Sequence, residues 1–502
     1  MLRKKRQTPW CVHKGEERKG MGDTEHNNVR VRFAPSPTGY LHVGGLRTAL
    51  FNYLFARSKG GTFVLRIEDT DQKRSIPGAV ENLTTTLKSV GLHYDEGPDI
   101  GGDYGPYVQS ERTDLYRKYV TQLVESGDAY YCFCTEERLE GLRERQRKMH
   151  TAPMYDGKCR SLTQEEVEKN LAAGMPFVIR LKYPREGKTV FSDVVRGKVA
   201  VDNSVVDDQV LIKSDGYPTY HLANVVDDHL MKISHVIRGE EWLSSVPKHI
   251  YLYKALGWDV PTFVHLPLLL NTDRSKLSKR QGDVAVESYL EKGYLPEALI
   301  NFIALLGWHG PDDREVYTVK ELEDVFTLDR INKAGAVFDI EKLNWMGGNY
   351  IRKTDLEVIA DASQRYFEEA GIDIGDREKY LKVIAVAREY VPALAQIVEH
   401  AAMFYREPEF DEEQKALAAE DTSQRLYDYW IDALRAQDSW SRDELTDLTK
   451  KAIGELQIKG KQFYFPLRLA LYGNTHGPDI PTIIDILGRD ESIARLDAVR
   501  TA

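Results

Sequence analysis

Apolar residues alternate with arginine over residues 29–33, where Val29, Val31 and Phe33 are separated by Arg30 and Arg32, the period-two pattern of a short strand with one polar face. The turn Pro35-Ser36-Pro37-Thr38-Gly39 ends it, and the period changes: Leu46, Ala49, Leu50, Tyr53 and Leu54 recur at helical spacing until Gly60-Gly61. A second strand is expected over 62–68, followed by a helix with Val80, Leu83, Leu87 and Val90 on one face that stops at Gly91. Strand, turn, helix and strand within about forty residues make a βαβ unit, half of a doubly wound parallel sheet.

Ligands of such sheets sit beyond the carboxyl ends of the strands. That rule gathers Arg32 and Ser36 after the first strand, and Glu68, Asp69 and Asp71 after the second, into one crevice. Between about residues 110 and 210 the rhythm breaks into a cysteine-containing stretch with short polar strands, which reads as an inserted domain. Strands at 210–213 and 235–238 and helices at 222–226 and 245–256 are expected to rebuild the second half of the sheet. From about Ile351 onward the pattern is nearly all helix, rich in Ala, Glu, Leu and Arg.

A chain of 502 residues is too long for one ordinary core and suggests several modules. Apolar runs such as 266–270 fall far short of the roughly 20 residues that span a bilayer, so no membrane role is expected. The first twenty residues carry seven Lys/Arg against two Glu and no secretory apolar stretch; they read as a disordered tail, or as an extension upstream of a start at Met21. A net charge of −10 does not point to nucleic acid, so any RNA contact must come from local basic patches. Four cysteines, two of them in a Cys-x-Cys pair, do not form a disulfide framework and suit a reducing cytoplasm.

Chemistry concentrates first in the turn 35–45, which opens directly into a helix. Gly44 and Gly45 let a ligand approach the backbone, the helix N-terminus offers N–H groups and a positive dipole end, and His42 adds a donor: together, a phosphate site. The run Pro35-Ser36-Pro37-Thr38-Gly39-Tyr40-Leu41-His42-Val43-Gly44-Gly45 resembles the first signature of the class I aminoacyl-tRNA synthetases in its glutamyl form. A second run, Lys276-Leu277-Ser278-Lys279-Arg280, resembles the lysine loop of the same class, whose cations meet the charge that builds on ATP phosphates. The resemblance implies ATP, with Mg²⁺, held by His42, Gly44, Gly45 and Lys279, and a catalytic set of His42, Lys276 and Lys279.

An amino acid with an ammonium and two carboxylates needs cations and a carboxylate to hold it, and Arg32, Glu68 and Arg238 stand near three strand ends with that set. The runs at 66–71, 215–224 and 237–242 also look like glutamyl-enzyme forms. Carried over residue by residue, the resemblance implies Arg32, Ser36, Tyr220 and Arg238 for the carboxylates and hydrogen bonds of glutamate, Glu68 for its amine and Asn224 as an assistant. Glu241 and Trp242 would border the adenosine, and Asp71 the terminal nucleotide of a transfer RNA. Strand-end ion pairs, such as Arg66 with Asp69, are the plain alternative for any one of these motifs.

Cys132, Cys134 and Cys159 suit a tetrahedral Zn²⁺, which needs a fourth ligand. The resemblance implies a zinc knuckle whose last motif ends Cys-x-His; here that position is Ser161, and Tyr155 is the favoured substitute with His150 second. Free buried thiols without metal remain the other reading. The basic stretch Arg138, Arg143, Arg145, Arg147 and Lys148 is either a grip on acceptor-stem phosphates or a solvated face.

The fold class expected is α/β: a class I synthetase Rossmann-like doubly wound parallel sheet with an inserted acceptor-binding domain, followed by an all-α anticodon-binding region. Along the chain this divides into a tail (1–28), the first catalytic half (29–110), the insertion with the zinc knuckle (111–210), the second catalytic half (211–270), a stem-contact domain with the lysine loop (271–352) and the helical region (353–502). The expected activity is ATP-dependent loading of glutamate onto tRNA-Glu by a cytoplasmic monomer, with charging of tRNA-Gln as well left open. A paralogue without an anticodon-binding region is disfavoured by the 150 residues from Lys353 to Ala502 and a glutaminyl enzyme by Arg238, while two intact signatures disfavour a catalytically silent tRNA-binding regulator.

Overall fold

The computed structural model describes residues 29–277, 284–436 and 439–500. The expected tail over 1–28 and Lys279 of the lysine loop lie outside the described residues. The strands that build and flank the site run, in chain order, β1 (Arg30–Phe33), β2 (Thr62–Leu65), β3 (Ala129–Cys132), β4 (Val178–Leu181), β5 (Lys188–Asp193), β6 (Gly197–Asp202), β7 (Val210–Ile212), β8 (His235–Gly239) and β9 (Thr262–Leu266).

β1 and β2 pair in parallel, Arg30 opposite Thr62 and Phe33 opposite Leu65, and α1 (Val43–Ser58) makes the crossover between them. Beyond β2, Glu96 and Val108 bridge in parallel to Val64 and Ile67. On the other side β1 lies along the start of β8: the Ser234 N–H donates to the Arg30 carbonyl at 2.9 Å, and the Arg30 N–H donates to the Ser234 hydroxyl at 2.9 Å. β8 and β9 then pair in parallel from His235/Thr262 to Gly239/Leu266. The chain thus turns outward in both directions from the gap between β1 and β8, the switch point at which such sheets bind ligands.

The alternation in β1 suggested one solvent-facing side, yet all four residues are buried. The reason is ionic: Arg30 forms a two-pronged pair with Glu96 at 2.8 and 2.9 Å, and Arg32 pairs with Asp228 at 2.9 Å. A polar face can be buried when each charge has a partner and its hydrogen bonds.

Two placements differ from the sequence reading. The strand expected at 210–213 does not join the catalytic sheet; β7 pairs antiparallel with β4, which pairs with β3 in a separate three-stranded sheet. Conversely, the β5–β6 hairpin from within the expected insertion joins the catalytic sheet, where Asp193 meets Phe263 and the order becomes β6-β5-β9-β8. β9 itself is a short buried run with no alternation, and the periodicity passes over it.

α1 is buried on nearly every side, because the helices Pro296–Ala304 and Val319–Val325 pack on it opposite the sheet. Residues 286–346 therefore share a core with the first half-sheet. A second apolar core runs from Ile351 to Val499 through the helices Leu356–Glu369 to Arg489–Arg500. No helix among the described residues is long and apolar enough to cross a membrane.

Candidate active site

At the carboxyl ends of β1, β2 and β8 lies an open cleft of about 770 Å³. Arg32, Ser36, Glu68, Asp71, Tyr220 and Asn224 line it, with Arg238, Glu241 and Trp242 opposite. A second cavity of about 290 Å³ adjoins it through Thr48, Gly239 and Glu241, and is lined by His42, Gly44, Gly45 and Lys276. Thirteen residues of the sequence reading are thus gathered into two connected chambers; Lys279 is outside the described residues and the four metal candidates lie elsewhere.

The floor of the larger chamber is an ion network. Asp228, on the helix Tyr220–Leu230, accepts from Arg32 Nε at 2.9 Å and Nη2 at 3.2 Å, and from Arg66 Nη1 at 2.7 Å. Burial opposes the Asp228 charge, but the two guanidiniums hold its carboxyl below the usual range. Arg66 also donates to Glu68 at 3.0 Å and lies 3.9 Å from Asp227, so its acidic partners are Asp228, Glu68 and Asp227 and not Asp69, which instead accepts from the Ser110 N–H at 2.8 Å. Burial pushes the Glu68 carboxyl up, against the pull of Arg66 and Arg32. Asn224 accepts through Oδ1 from Arg32 and Arg66, both at 3.2 Å, which leaves its amide NH₂ to donate. Arg32 is less available than its sequence position suggested: its Nε–Nη2 edge is taken by Asp228, and Nη1 makes only a long contact of 3.5 Å to the Ile237 carbonyl.

Across the chamber Arg238 Nη1 donates to the Tyr220 hydroxyl at 2.7 Å, freeing the phenol proton for a ligand. Tyr220 packs on Trp242 with ring centroids 4.2 Å apart. Ser36 and Asp71 are exposed at the rim.

In the smaller chamber His42 caps α1, its Nδ1 accepting from the Gly44 N–H at 2.9 Å. The Val43 N–H donates to the Val284 carbonyl at 2.8 Å. These bonds correct the expectation of free N–H groups at this helix start: two are occupied, and His42 itself, protonated at Nε2, becomes the donor. A Cβ on Gly44 would sit 3.2 Å from His42 Nδ1, and one on Gly45 3.1 Å from Leu41 Cδ1, so a side chain at either position would crowd its neighbour by a few tenths of an ångström. Arg47, which the sequence reading missed, lines this chamber with its guanidinium bonded to the carbonyls of Leu306 and Pro267; burial brings its pKa down to about 10. Asp228 was also missed, although two acids directly after the apolar pair Val225-Val226 are a signal of buried pairing.

Chemically, the larger chamber offers donors and the buried Glu68 carboxylate to a small zwitterion, and the smaller one a helix start and a lysine to phosphates. The model for "tRNA synthetases class I (E and Q), catalytic domain" matches residues 28–345, and that for "Anticodon binding domain" matches 357–500. Glutamate–tRNA ligase of Clostridioides difficile is 46% identical over 94% of this chain and 99% of its own. The chain belongs to the glutamate–tRNA ligase family. The corresponding ligase of Carboxydothermus hydrogenoformans is 47% identical over 93% of this chain and 99% of its own. Among solved structures, a glutamate tRNA ligase from Elizabethkingia meningosepticum in complex with its amino acid superposes with a TM-score of 0.89 at 38% identity, over 95% of this chain and 99% of that one.

The other chemical cluster of this glutamate–tRNA ligase family member lies around β3. The Sγ atoms of Cys132, Cys134 and Cys159 lie within 4.8 Å of one another, and Tyr155 Oη is 3.4 Å from both Cys132 and Cys134. Zn–S bonds of about 2.3 Å place tetrahedral sulfurs roughly 3.8 Å apart, and Cys134 and Cys159 are 3.6 Å apart. The three thiolates suit that ion, and the Tyr155 hydroxyl lies beside two of them. Contact with Cys159 and Tyr155 holds the Cys132 thiol below its usual range. His150, the second choice, is exposed after the helix Glu136–Lys148 and lies outside this cluster. On that helix Arg143 and Arg147 both pair with Glu140, and Arg138 pairs with Asp156.

Proposed function

We propose that the chain is a glutamate–tRNA ligase, activating L-glutamate with ATP and transferring the glutamyl group to the 3′-terminal adenosine of tRNA-Glu. The observation that carries this reading is the charge order of the larger chamber, with Arg238 and Tyr220 facing the buried Glu68 and a phosphate-type subsite opening from the shared wall. The family of the curated relatives, and the amino acid in the Elizabethkingia structure, support the same substrate.

In this reading Glu68 receives the ammonium of glutamate. Arg32, Ser36, Tyr220, Asn224 and Arg238 hold its carboxylates, Arg238 supplying charge and a donor to that of the side chain. Glu241 and Trp242 border the adenosine, and the phosphates, with their Mg²⁺, lie against His42, Gly44 and Gly45. The α-carboxylate oxygen attacks the α-phosphorus in line, the bond to the β-phosphate oxygen breaks, and pyrophosphate leaves. His42, Lys276 and Lys279 meet the charge that spreads over the phosphates, so positioning and electrostatics lower the barrier without a covalent enzyme intermediate. The 2′-hydroxyl of the terminal adenosine, admitted past Asp71, then attacks the carbonyl of the mixed anhydride and AMP departs.

Cys132, Cys134, Tyr155 and Cys159 would hold a structural Zn²⁺ that fixes β3 and the loop after it, remote from these steps. The reading includes a monomer in the cytoplasm, a location that the three unpaired thiols among the described residues suit.

The test is aminoacylation by the purified protein of tRNA-Glu and tRNA-Gln side by side, with tRNA-dependent pyrophosphate exchange on glutamate, glutamine and aspartate. Exchange with glutamate and charging of tRNA-Glu are expected. Comparable charging of tRNA-Gln would establish the non-discriminating form, and no exchange with glutamate would overturn the reading.

A further inference from the structure

Arg238 is held from behind by a chain of groups that touch no part of the cleft. Its Nε donates to His265 Nε2 at 3.1 Å, and His265 Nδ1 lies 2.6 Å from Asp193 Oδ2. Asp193 and His265 are almost wholly buried. The other oxygen of Asp193, Oδ1, accepts from the N–H groups of Val195 at 3.0 Å and Arg196 at 2.8 Å, closing the turn between β5 and β6.

These contacts fix a tautomer. A carboxylate only accepts, so the imidazole proton facing Asp193 is on Nδ1; a guanidinium only donates, so Nε2 must present its lone pair to Arg238. The neutral imidazole with the proton on Nδ1 alone satisfies both neighbours, and burial, which lowers the His265 pKa, favours that neutral form. With Nε anchored, Nη1 reaches the Tyr220 hydroxyl at 2.7 Å and Nη2 the Trp242 carbonyl at 3.4 Å, and both lie 3.4 Å from Nδ1 of the buried His249.

We propose that Asp193 and His265 are positioning residues for glutamate recognition: Asp193 sets the His265 tautomer, and His265 sets the plane of Arg238 against the side-chain carboxylate of the substrate. The inference rests on the reading that Arg238 holds that carboxylate. It also makes the β5–β6 hairpin, which comes from the segment that interrupts the βαβ rhythm, a support behind the amino-acid pocket.

The experiment is a double-mutant cycle in tRNA-dependent pyrophosphate exchange, with Asp193→Asn, Arg238→Ala and the pair. In Asp193→Asn the amide oxygen stays with the Val195 and Arg196 N–H groups, so its NH₂ faces His265 Nδ1. The imidazole proton is thereby driven to Nε2, against Arg238 Nε–H. Asp193→Asn is expected to raise the KM for glutamate about tenfold, the scale of one unsatisfied buried donor, while the KM for ATP stays within about twofold. It is expected to add nothing in the Arg238→Ala background. Should Asp193→Asn fail to fold by thermal unfolding, His265→Gln, whose carbonyl still accepts from Arg238, and His265→Leu, which cannot accept, replace it. His265→Gln should keep the glutamate KM several-fold closer to the parent value than His265→Leu. Unchanged glutamate KM in Asp193→Asn, an equal rise in both KM values, full additivity in the cycle, or equal behaviour of His265→Gln and His265→Leu would each overturn the inference. An Arg238→Ala protein with unaltered glutamate KM would instead overturn the underlying reading of the pocket.

Discussion

Arg32 and Asp228 meet edge to edge, Nε to Oδ1 at 2.9 Å and Nη2 to Oδ2 at 3.2 Å, with both side chains out of reach of solvent. Because Arg66 uses the same carboxylate, Asp228 compensates two buried cations at the floor of the cleft. Asp228→Ala is expected to lower unfolding stability in urea by about 3–5 kcal/mol, since it leaves both guanidiniums short of a partner. The sign with pH follows from the depressed carboxyl: its contribution is present above the unfolded aspartate range and is lost as pH falls through the lower folded value. The parent should therefore lose stability over that acidic interval more steeply than Asp228→Ala.

Glu68 behaves in the opposite sense, because burial raises its pKa. The carboxylate that receives the substrate ammonium exists above that raised value and disappears as pH falls through it. The KM for glutamate should rise toward acid pH, and a pH profile of kcat/KM in Glu68→Gln should show a weaker acid limb at a level roughly 10- to 100-fold lower, as loss of one charge-assisted bond implies. An acid limb identical in parent and variant would exclude Glu68 as the titrating group.

Lys279→Ala should reduce pyrophosphate exchange by about 100-fold or more, the scale of one preorganised cation at developing charge, while tRNA binding measured by filter retention stays near the parent value. Substantial exchange by the variant would remove Lys279 from the catalytic set.

For the cysteine cluster, protein purified without added zinc should carry close to one Zn²⁺ per chain by elemental analysis. Cys159→Ser should bind it more weakly, and chelation should destabilise the parent more than the variant. A metal content near zero would leave the three thiols and Tyr155 as a packed, metal-free core.

Gly44→Ala places a methyl 3.2 Å from His42 Nδ1, against the imidazole that caps α1. A several-fold rise in the KM for ATP with little change in that for glutamate is expected, read from the same exchange assay.

The sequence alone was sufficient for local matters. Period two at Arg30–Phe33, the break at Pro35 to Gly39 and the helical spacing from Leu46 are properties of neighbouring residues, and together with the two signatures they placed the βαβ unit and most residues of both chambers. What only the tertiary structure decided was partnership across distance. Val210–Ile212 and Lys188–Asp193 changed sheets relative to expectation because a short strand carries no mark of which edge it will pair with. Asp228 claimed the arginine edge assigned to substrate, and Asp193 came to stand behind Arg238 through His265, because buried charges are satisfied by whichever groups the folded chain brings within hydrogen-bond reach, whatever their separation in sequence.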